Sequence, residues 1–398
     1  MSIDLQIADV VQNGNCSGCG ACCQLDPGLE MTLSTEGYLR PERKGPATGR
    51  ASEEFDRICP GRRVDSQRPA GGSWHPTMGP VVESWQGWAS DDEIRFRGSS
   101  GGALTALTTW LVESGRATDV IGAAADPVIP TRTITVAIRS RGQALAAAGS
   151  RYAPVSNAAM ARLGDPDAVF IGKPCEVSAV RALAELRGVQ PPLLLSFFCA
   201  GTPSQHATEE LAGRLGDGSP PAQLWYRGRG WPGSFTVVST NGRSRQLSYD
   251  ESWGTVLGPT MQWRCKICPD GVGESADIVA ADYWHSDERG YPVFAETEGI
   301  SAILARTLRG EEILRAAVTA GALQVHALSL DALAAVQPFQ SRRRRSLFGR
   351  LAGTRLAGRK IPRYRGFGLW RHAVTQVRGQ LRIAKGSYQR VRSNQADR

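Results

Sequence analysis

Between about residues 98 and 215 the apolar positions change period repeatedly, and this switching is the strongest structural signal in the chain. Helix-like spacing over 103–113 gives way to short apolar runs at 120–125 and 133–139, returns over 158–163, and breaks again at 168–172. The alternation continues with a helical pattern at 176–186, an apolar run at 193–198 and a helical pattern at 204–215. Strands that alternate with helices in this way predict an α/β layered domain. From 222 to 260, Trp225, Tyr226, Trp231, Phe235, Tyr249 and Trp253 stand among glycines and β-like runs such as 234–240, which reads as an antiparallel insertion. Strands at 277–281 and 299–305 and a helix near 311–320 are expected to close the body.

Residues 1–75 show no sustained apolar period and are rich in Cys, Gly, Pro and charge. That predicts a small domain ordered by a bound metal rather than by its own core. The expected organisation is a ferredoxin-like iron–sulfur domain over 1–75, an α/β domain over 76–335 carrying the 222–260 insertion, and a basic C-terminal tail over 336–398. With 41% hydrophobic and 21% charged residues, the 398-residue chain has the composition of a soluble globular protein. Its longest strongly apolar stretch, 191–201, is too short to cross a bilayer, and the first residues lack a basic-then-apolar leader, so a cytoplasmic location is expected. Charge is unevenly placed: residues 341–398 hold 17 Lys and Arg against one acid, Asp397, whereas residues 1–340 hold 30 basic and 37 acidic residues.

Nine cysteines are an odd number, and their grouping is unlike a disulfide framework, so metal ligation is the better starting idea. Cys16-Ser-Gly-Cys19-Gly-Ala-Cys22 is C-x2-C-x2-C, the opening of a bacterial ferredoxin loop, and Gly18 and Gly20 permit the tight backbone that turns three thiolates around one cubane. The Cys-Pro that would follow is Asp26-Pro27 here. Cys59-Pro60 is the natural fourth ligand, with Cys23 surplus and Asp26 a weaker oxygen option. Cys175 and Cys199 follow or end predicted strands and, with Cys265-x2-Cys268, would meet at a sheet edge as a second four-cysteine site. For that second group the spacing leaves structural zinc and unliganded core cysteines open.

Arg97-Gly98-Ser99-Ser100-Gly101-Gly102 runs directly into the helical pattern at 103–113, an arrangement whose backbone N–H groups suit a phosphate; a plain loop with a serine cap is the alternative. Gly149-Ser150-Arg151-Tyr152 and Gly172-Lys173 are further turns that offer a cation. The string Gly271-Val-Gly273-Glu-Ser-Ala276 precedes a strand rather than opening a helix and is rejected as a dinucleotide fingerprint. His75, His206, His285, His326 and His372 stand singly without metal-ligand spacing, and no G-x-S-x-G elbow supports hydrolysis.

In their order and spacing these pieces resemble the coenzyme F420 hydrogenase/dehydrogenase beta subunit family, which includes 7-hydroxymethyl chlorophyll a reductase and ferredoxin-dependent divinyl chlorophyllide reductases. Over roughly residues 12–325, the carriers are the Cys16–Cys22 loop, Gly98–Gly102, Gly149–Tyr152, Gly172-Lys-Pro-Cys175, Cys199-Ala-Gly201, Tyr226-Arg-Gly228 with Gly230-Trp-Pro-Gly233, and Cys265–Asp270. Ala276-Asp-Ile278 and Asp282-Tyr-Trp284 complete the set. The resemblance implies a flavoprotein in which Gly98, Ser99, Ser100, Gly101, Gly102, Thr105, Ser150, Arg151, Tyr152, Gly172 and Lys173 lie near FAD. It also implies two [4Fe–4S] clusters: an inner one on Cys175, Cys199, Cys265 and Cys268, and an outer one on Cys16, Cys19, Cys22 and Cys59.

The leading expectation is therefore an FAD and iron–sulfur oxidoreductase that passes electrons between ferredoxin, or coenzyme F420, and a small organic substrate. On this view the basic tail attracts an acidic ferredoxin, Trp231 and Trp253 wall a planar substrate, and removing everything after Gln340 leaves FAD binding intact. One alternative is an F420-linked subunit of a larger complex; another is a zinc-thiolate protein that lies on a membrane surface through its basic tail. No nucleic-acid recognition motif accompanies the charge.

Overall fold

Short apolar runs flanked by helical patterns have to be buried on both faces, and in a computed structural model describing residues 2–47, 52–284 and 298–396 they are. Eight strands form one mixed sheet: β1 (Glu83–Ala89), β2 (Asp119–Ala125), β3 (Thr133–Ile138), β4 (Ala168–Gly172), β5 (Leu193–Phe197), β6 (Ile278–Asp282), β7 (Ser301–Ala305) and β8 (Leu323–Ala327), in the order β8-β1-β7-β6-β5-β4-β2-β3. Neighbours β2, β4, β5 and β6 run parallel, with Gly172 opposite Ser196 and Leu195 opposite Ile278. The pairs β2–β3, β6–β7, β7–β1 and β1–β8 are antiparallel. Along β4 to β7, Phe170, Leu194, Val279 and Leu304 point to one core while Val169, Leu195, Ile278 and Ile303 point to the other. The insertion is a three-stranded antiparallel sheet of Pro221–Trp225, Phe235–Ser239 and Ser244–Leu247.

Several expectations change. The helical pattern at 158–163 yields only a short turn, Asn157–Met160, because Asn157 is tied sideways: its side chain donates to the Ile171 carbonyl (3.0 Å) and its backbone N–H to Glu176 (3.0 Å). An unforeseen helix, Ile3–Gln12, buries Ile3, Ile7 and Val10 at helical spacing. The basic segment is not a solvated tail. It forms a helix, Pro338–Leu356, with Leu347, Gly349 and Gly353 buried, and a second, Val377–Ala396, packed against it. Arg344 and Glu274, 5% and 1% exposed, form an ion pair that locks the first of these helices to the body. Arg363–Arg365 pairs in parallel with Arg63–Asp65, and the hairpin of Ser73–His75 with Gly79–Val81 spans the expected boundary at 75. Truncation after Gln340 would therefore strip packed helices from the body instead of leaving it intact. No helix among the described residues is long and apolar enough to cross a membrane. His285 and Asp397 lie outside the described residues.

Candidate metal centres and the adjoining sheet edge

The Cys16–Cys22 loop turns on two glycines in the left-handed region, Gly18 at φ +72° and Gly20 at φ +85°. A Cβ on Gly18 would meet the Leu39 carbonyl at 2.9 Å, so the turn is closed to other residues on steric grounds as well. The loop folds over helix Ile3–Gln12 and helix Ser52–Ile58, and the result is one cavity walled by Cys16, Cys19, Cys22 and Cys59 with Ile7, Val10, Phe55 and Ile58. These are the four thiols the sequence put together. Cys23 is not on the cavity wall, and its thiol lies in the electrostatic range of its neighbour Cys22. Asp26 is fully buried but engaged elsewhere, with Arg43 at 2.9 Å and the Gly28 N–H at 3.0 Å.

The second set forms at the C-terminal edge of the parallel strands, where open α/β sheets bind ligands. Cys175 opens the helix Pro174–Arg187 after β4, Cys199 follows β5, and Cys265 and Cys268 bracket a tight turn packed beside them. The Cys199 N–H bonds the Gly271 carbonyl (2.9 Å), the Thr202 N–H donates to the Cys265 sulfur (3.3 Å), and the Cys268 thiol donates to the Asp270 carbonyl (3.1 Å). Cys199 lies in the electrostatic range of Cys265 and Cys268, and Cys175 in that of Cys268 and of Cys19 from the first set. Burial pushes the Cys19 thiol up to about 11 and that of Cys199 up to about 12, so these groups become thiolates only against a positive partner. No three His, Cys, Asp or Glu side chains among the described residues are spaced for a single ion. A cubane holds its thiolates farther apart than one tetrahedral ion does; of the two sets, the first lines a common cavity.

Cations rim the second set. Lys173, buried, donates to the Val155 carbonyl (2.7 Å) and pairs with Glu176 (2.8 Å); burial opposes its charge, but Glu176 and the Cys175 thiol hold its pKa above the usual value. Arg264 is 2% exposed, bonds the Pro60 carbonyl at 3.0 Å, and leaves Nε and Nη1 without a hydrogen-bond partner. Its electrostatic neighbours include Cys268, Cys175 and Cys265, and on the other side Cys59. From helix Pro338–Leu356, Arg343 bonds the Ala200 carbonyl (2.6 Å) and Arg350 the Lys266 carbonyl (2.8 Å), while Tyr364 bonds that of Ile267 (2.8 Å). The basic segment thus caps the cysteine-bearing loops. Arginine reads as surface in a sequence, and nothing there marked Arg264 as buried.

The expected flavin residues separate into two kinds. Gly98–Gly102 lies on the sheet edge: Ser100 donates to the Ile300 carbonyl (2.7 Å), the Gly101 N–H to Ser301 (3.0 Å), and Gly102, at φ +75°, opens helix Ala103–Glu113 without a side-chain cap. Ser150 reaches Ser99 at 2.8 Å, and Tyr152 packs its ring on Trp253 at 4.7 Å. Thr105 is half-buried in the first turn of the helix. Arg151, in contrast, spends its guanidinium on Thr133 and the carbonyls of Leu224, Pro130 and Arg132, and Gly172 is required by the Phe170 ring, 2.5 Å from where its Cβ would stand. Arg151 and Lys173 anchor walls and are not free to meet an anion.

Arg227 had no assigned role in the sequence. It is 2% exposed, donates to the Ser99 carbonyl (2.6 Å), pairs with Asp282 (2.6 Å), and lies 5.2–5.3 Å from the rings of Trp231, Tyr249 and Trp284. Trp231, 7% exposed, stacks on Trp284 at 4.2 Å and is core rather than a substrate wall. The signal was present in the Tyr226-Arg-Gly228 and Asp282-Tyr-Trp284 strings; their pairing in space was not. A separate cavity of about 490 Å3 near Asn15 is lined by Asp9 and Asp56 and by five cations, of which Arg62 and Lys360 pair with Asp9.

The thiols, the cations and a glycine-rich turn thus lie along one edge of an α/β sheet. The N-terminal model of the coenzyme F420 hydrogenase/dehydrogenase beta subunit matches residues 84–162 and the C-terminal model residues 167–330, together more than half the chain. The chain belongs to this family of oxidoreductase subunits. The second thiol set lies inside the matched spans; the first set and the Arg-rich helices lie outside them. No curated protein matches the chain. Among solved structures it is similar to a chain of the xenon-derivatised F420-reducing [NiFe] hydrogenase complex from Methanosarcina barkeri, at 20% identity and a TM-score of 0.54, over 73% of this chain and 98% of that one. At that identity the likeness is one of fold.

Proposed function

We propose that the chain is a redox subunit that exchanges electrons between a ferredoxin-type protein or coenzyme F420 and a small organic substrate, with two [4Fe–4S] clusters and FAD as its resident groups. The observation that carries this reading is the single cavity walled by Cys16, Cys19, Cys22 and Cys59, close to a second thiol set at the sheet edge. Cysteine-bound clusters supply one-electron transfer, and a flavin supplies the exchange between one- and two-electron chemistry. Cys16, Cys19, Cys22 and Cys59 would hold the outer cluster, and Cys175, Cys199, Cys265 and Cys268 the inner one. The Gly98 and Gly101 N–H groups are engaged with Ile94 and Ser301, so the amides of Ser99, Ser100 and Gly102 and the uncapped helix behind them offer the anion site, with the hydroxyls of Ser99 and Ser150 beside it. Because Arg151 and Lys173 are engaged, a pyrophosphate there rests on amides and hydroxyls. The family's name and the hydrogenase-complex neighbour favour F420 as the two-electron partner and an assembly with other subunits.

Anaerobic purification with iron, sulfide and flavin analysis tests the reading: about eight irons and a flavin per chain are expected. Zinc in place of iron, without a flavin, overturns it. Titration with reduced F420 and with reduced ferredoxin then shows which donor bleaches the flavin.

A further inference from the structure

The last two helices carry a feature that the redox site does not use. Val377 and Leu381, 57% and 67% exposed, stand one turn apart on the final helix and begin an apolar stripe there; Trp370 and Val374, 64% and 65% exposed, stand one turn apart on the short helix before it, from which the non-helical Gln376 separates them. In the final helix Tyr388, 40% exposed, prolongs the stripe, with Lys385 and Arg392 alongside. That helix uses other residues to pack: Gln380 accepts the Gly349 N–H at 2.8 Å, and Ser387 and Val391 are buried. The stripe is therefore apolar surface left over after the protein's own packing is complete. Exposed Arg371, Arg378 and Arg382 flank it, and the sequence has no Asp or Glu between Asp331 and Asp397.

Lys, unlike Arg, is depleted at the core of a protein–protein interface, and Lys385 stands beside Leu381 and Tyr388 in the stripe. Here cations alternate with the apolar side chains turn by turn, and a protein partner would have to bury them. An anionic bilayer surface accepts both: the apolar groups enter the acyl boundary, Trp sits at headgroup depth, and the long basic side chains reach the phosphates. We propose that the 370–388 segment seats this protein peripherally on an anionic lipid surface.

Co-sedimentation of the full chain with phosphatidylcholine vesicles, with and without phosphatidylglycerol, reads this directly. Binding is expected only when the anionic lipid is present, and it should weaken as salt rises. Leu381→Glu, and separately Arg378→Glu with Arg382→Glu, should each weaken it about ten-fold. These side chains are exposed, so circular dichroism and the melting temperature should not change. Equal binding to zwitterionic vesicles, full retention by Leu381→Glu, or no vesicle binding while an acidic electron carrier occupies the same face each overturns the proposal. Iron and flavin content are read separately, so failure here leaves the redox reading standing, and the reverse holds too.

Discussion

The two thiol sets differ in how they are made. The first is local: three sulfurs come from one short loop and the fourth from Cys59, among aliphatic and aromatic walls. The second draws on three distant segments and exists only once β4, β5 and the Cys265–Cys268 turn are side by side, under a cap of Arg343 and Arg350. Their electrostatics differ as well. Apolar walls penalise added negative charge at the first set, where Arg264 reaches only Cys59, whereas at the second Lys173 and Arg264 together face Cys175, Cys265 and Cys268. A thiolate-bound group at the second set should therefore accept an electron more readily than one at the first.

The sharpest way to break this contrast is Cys265→Ser against Cys19→Ser. Each is expected to remove about four irons per chain while leaving the other set's spectroscopic signal, and Cys265→Ser should also abolish flavin reduction by the physiological donor. If either variant emptied both sets, the division into two sites would be wrong. Next in size is Glu274→Gln. It leaves the Arg344 guanidinium buried without its counter-charge and should cost about 3–5 kcal/mol, read as a lower urea midpoint. The second set, which depends on the capping helix, should lose iron before the first as urea is raised.

The same contrast explains what the sequence disclosed. The spacing put Cys16, Cys19, Cys22 and Cys59 together, and they line one cavity; it put Cys175 and Cys199 at strand ends, and the structure has them there. The α/β alternation was legible because buried strands read as unbroken apolar runs, and residues 103–113 and 168–172 became elements with those bounds. Three things were hidden. Glu83–Ala89 mixes polar residues with tryptophans and reads as loop, yet it lies between β7 and β8. Helix Pro338–Leu356 contains four consecutive arginines, so charge masked its packing, although Leu347 is 1% exposed. Arg151, Lys173, Arg227 and Arg264 all read as ligand-facing or surface cations, and only tertiary placement showed each to be buried or engaged internally.

Arg264→Met sharpens the electrostatic half of the comparison. Removing a buried cation without a carboxylate partner should leave stability little changed, since an apolar side chain replaces a costly charge. The reduction midpoint of the second set is expected to fall by about 60 mV, a ten-fold change in the one-electron equilibrium, with a smaller shift at the first. Equal shifts at both sets, or none, would remove Arg264 from the account; redox titration followed by electron paramagnetic resonance measures both at once.

The smallest expected effect belongs to Cys23→Ala, and it tests the choice of ligands in the first set. Cys23 is adjacent to Cys22, half-buried, and off the cavity wall that the other four share. Losing it removes a little packing beside Cys22, which should cost less than about 1 kcal/mol. Iron content and the first set's reduction midpoint should match those of the unmodified chain. Cys22→Ala, with Cys23 intact, is the counterpart: it should empty the first set. If the two variants exchanged behaviour, Cys23 would be the third ligand, and the loop would have to rotate about Gly20, whose left-handed backbone now directs Cys22 inward.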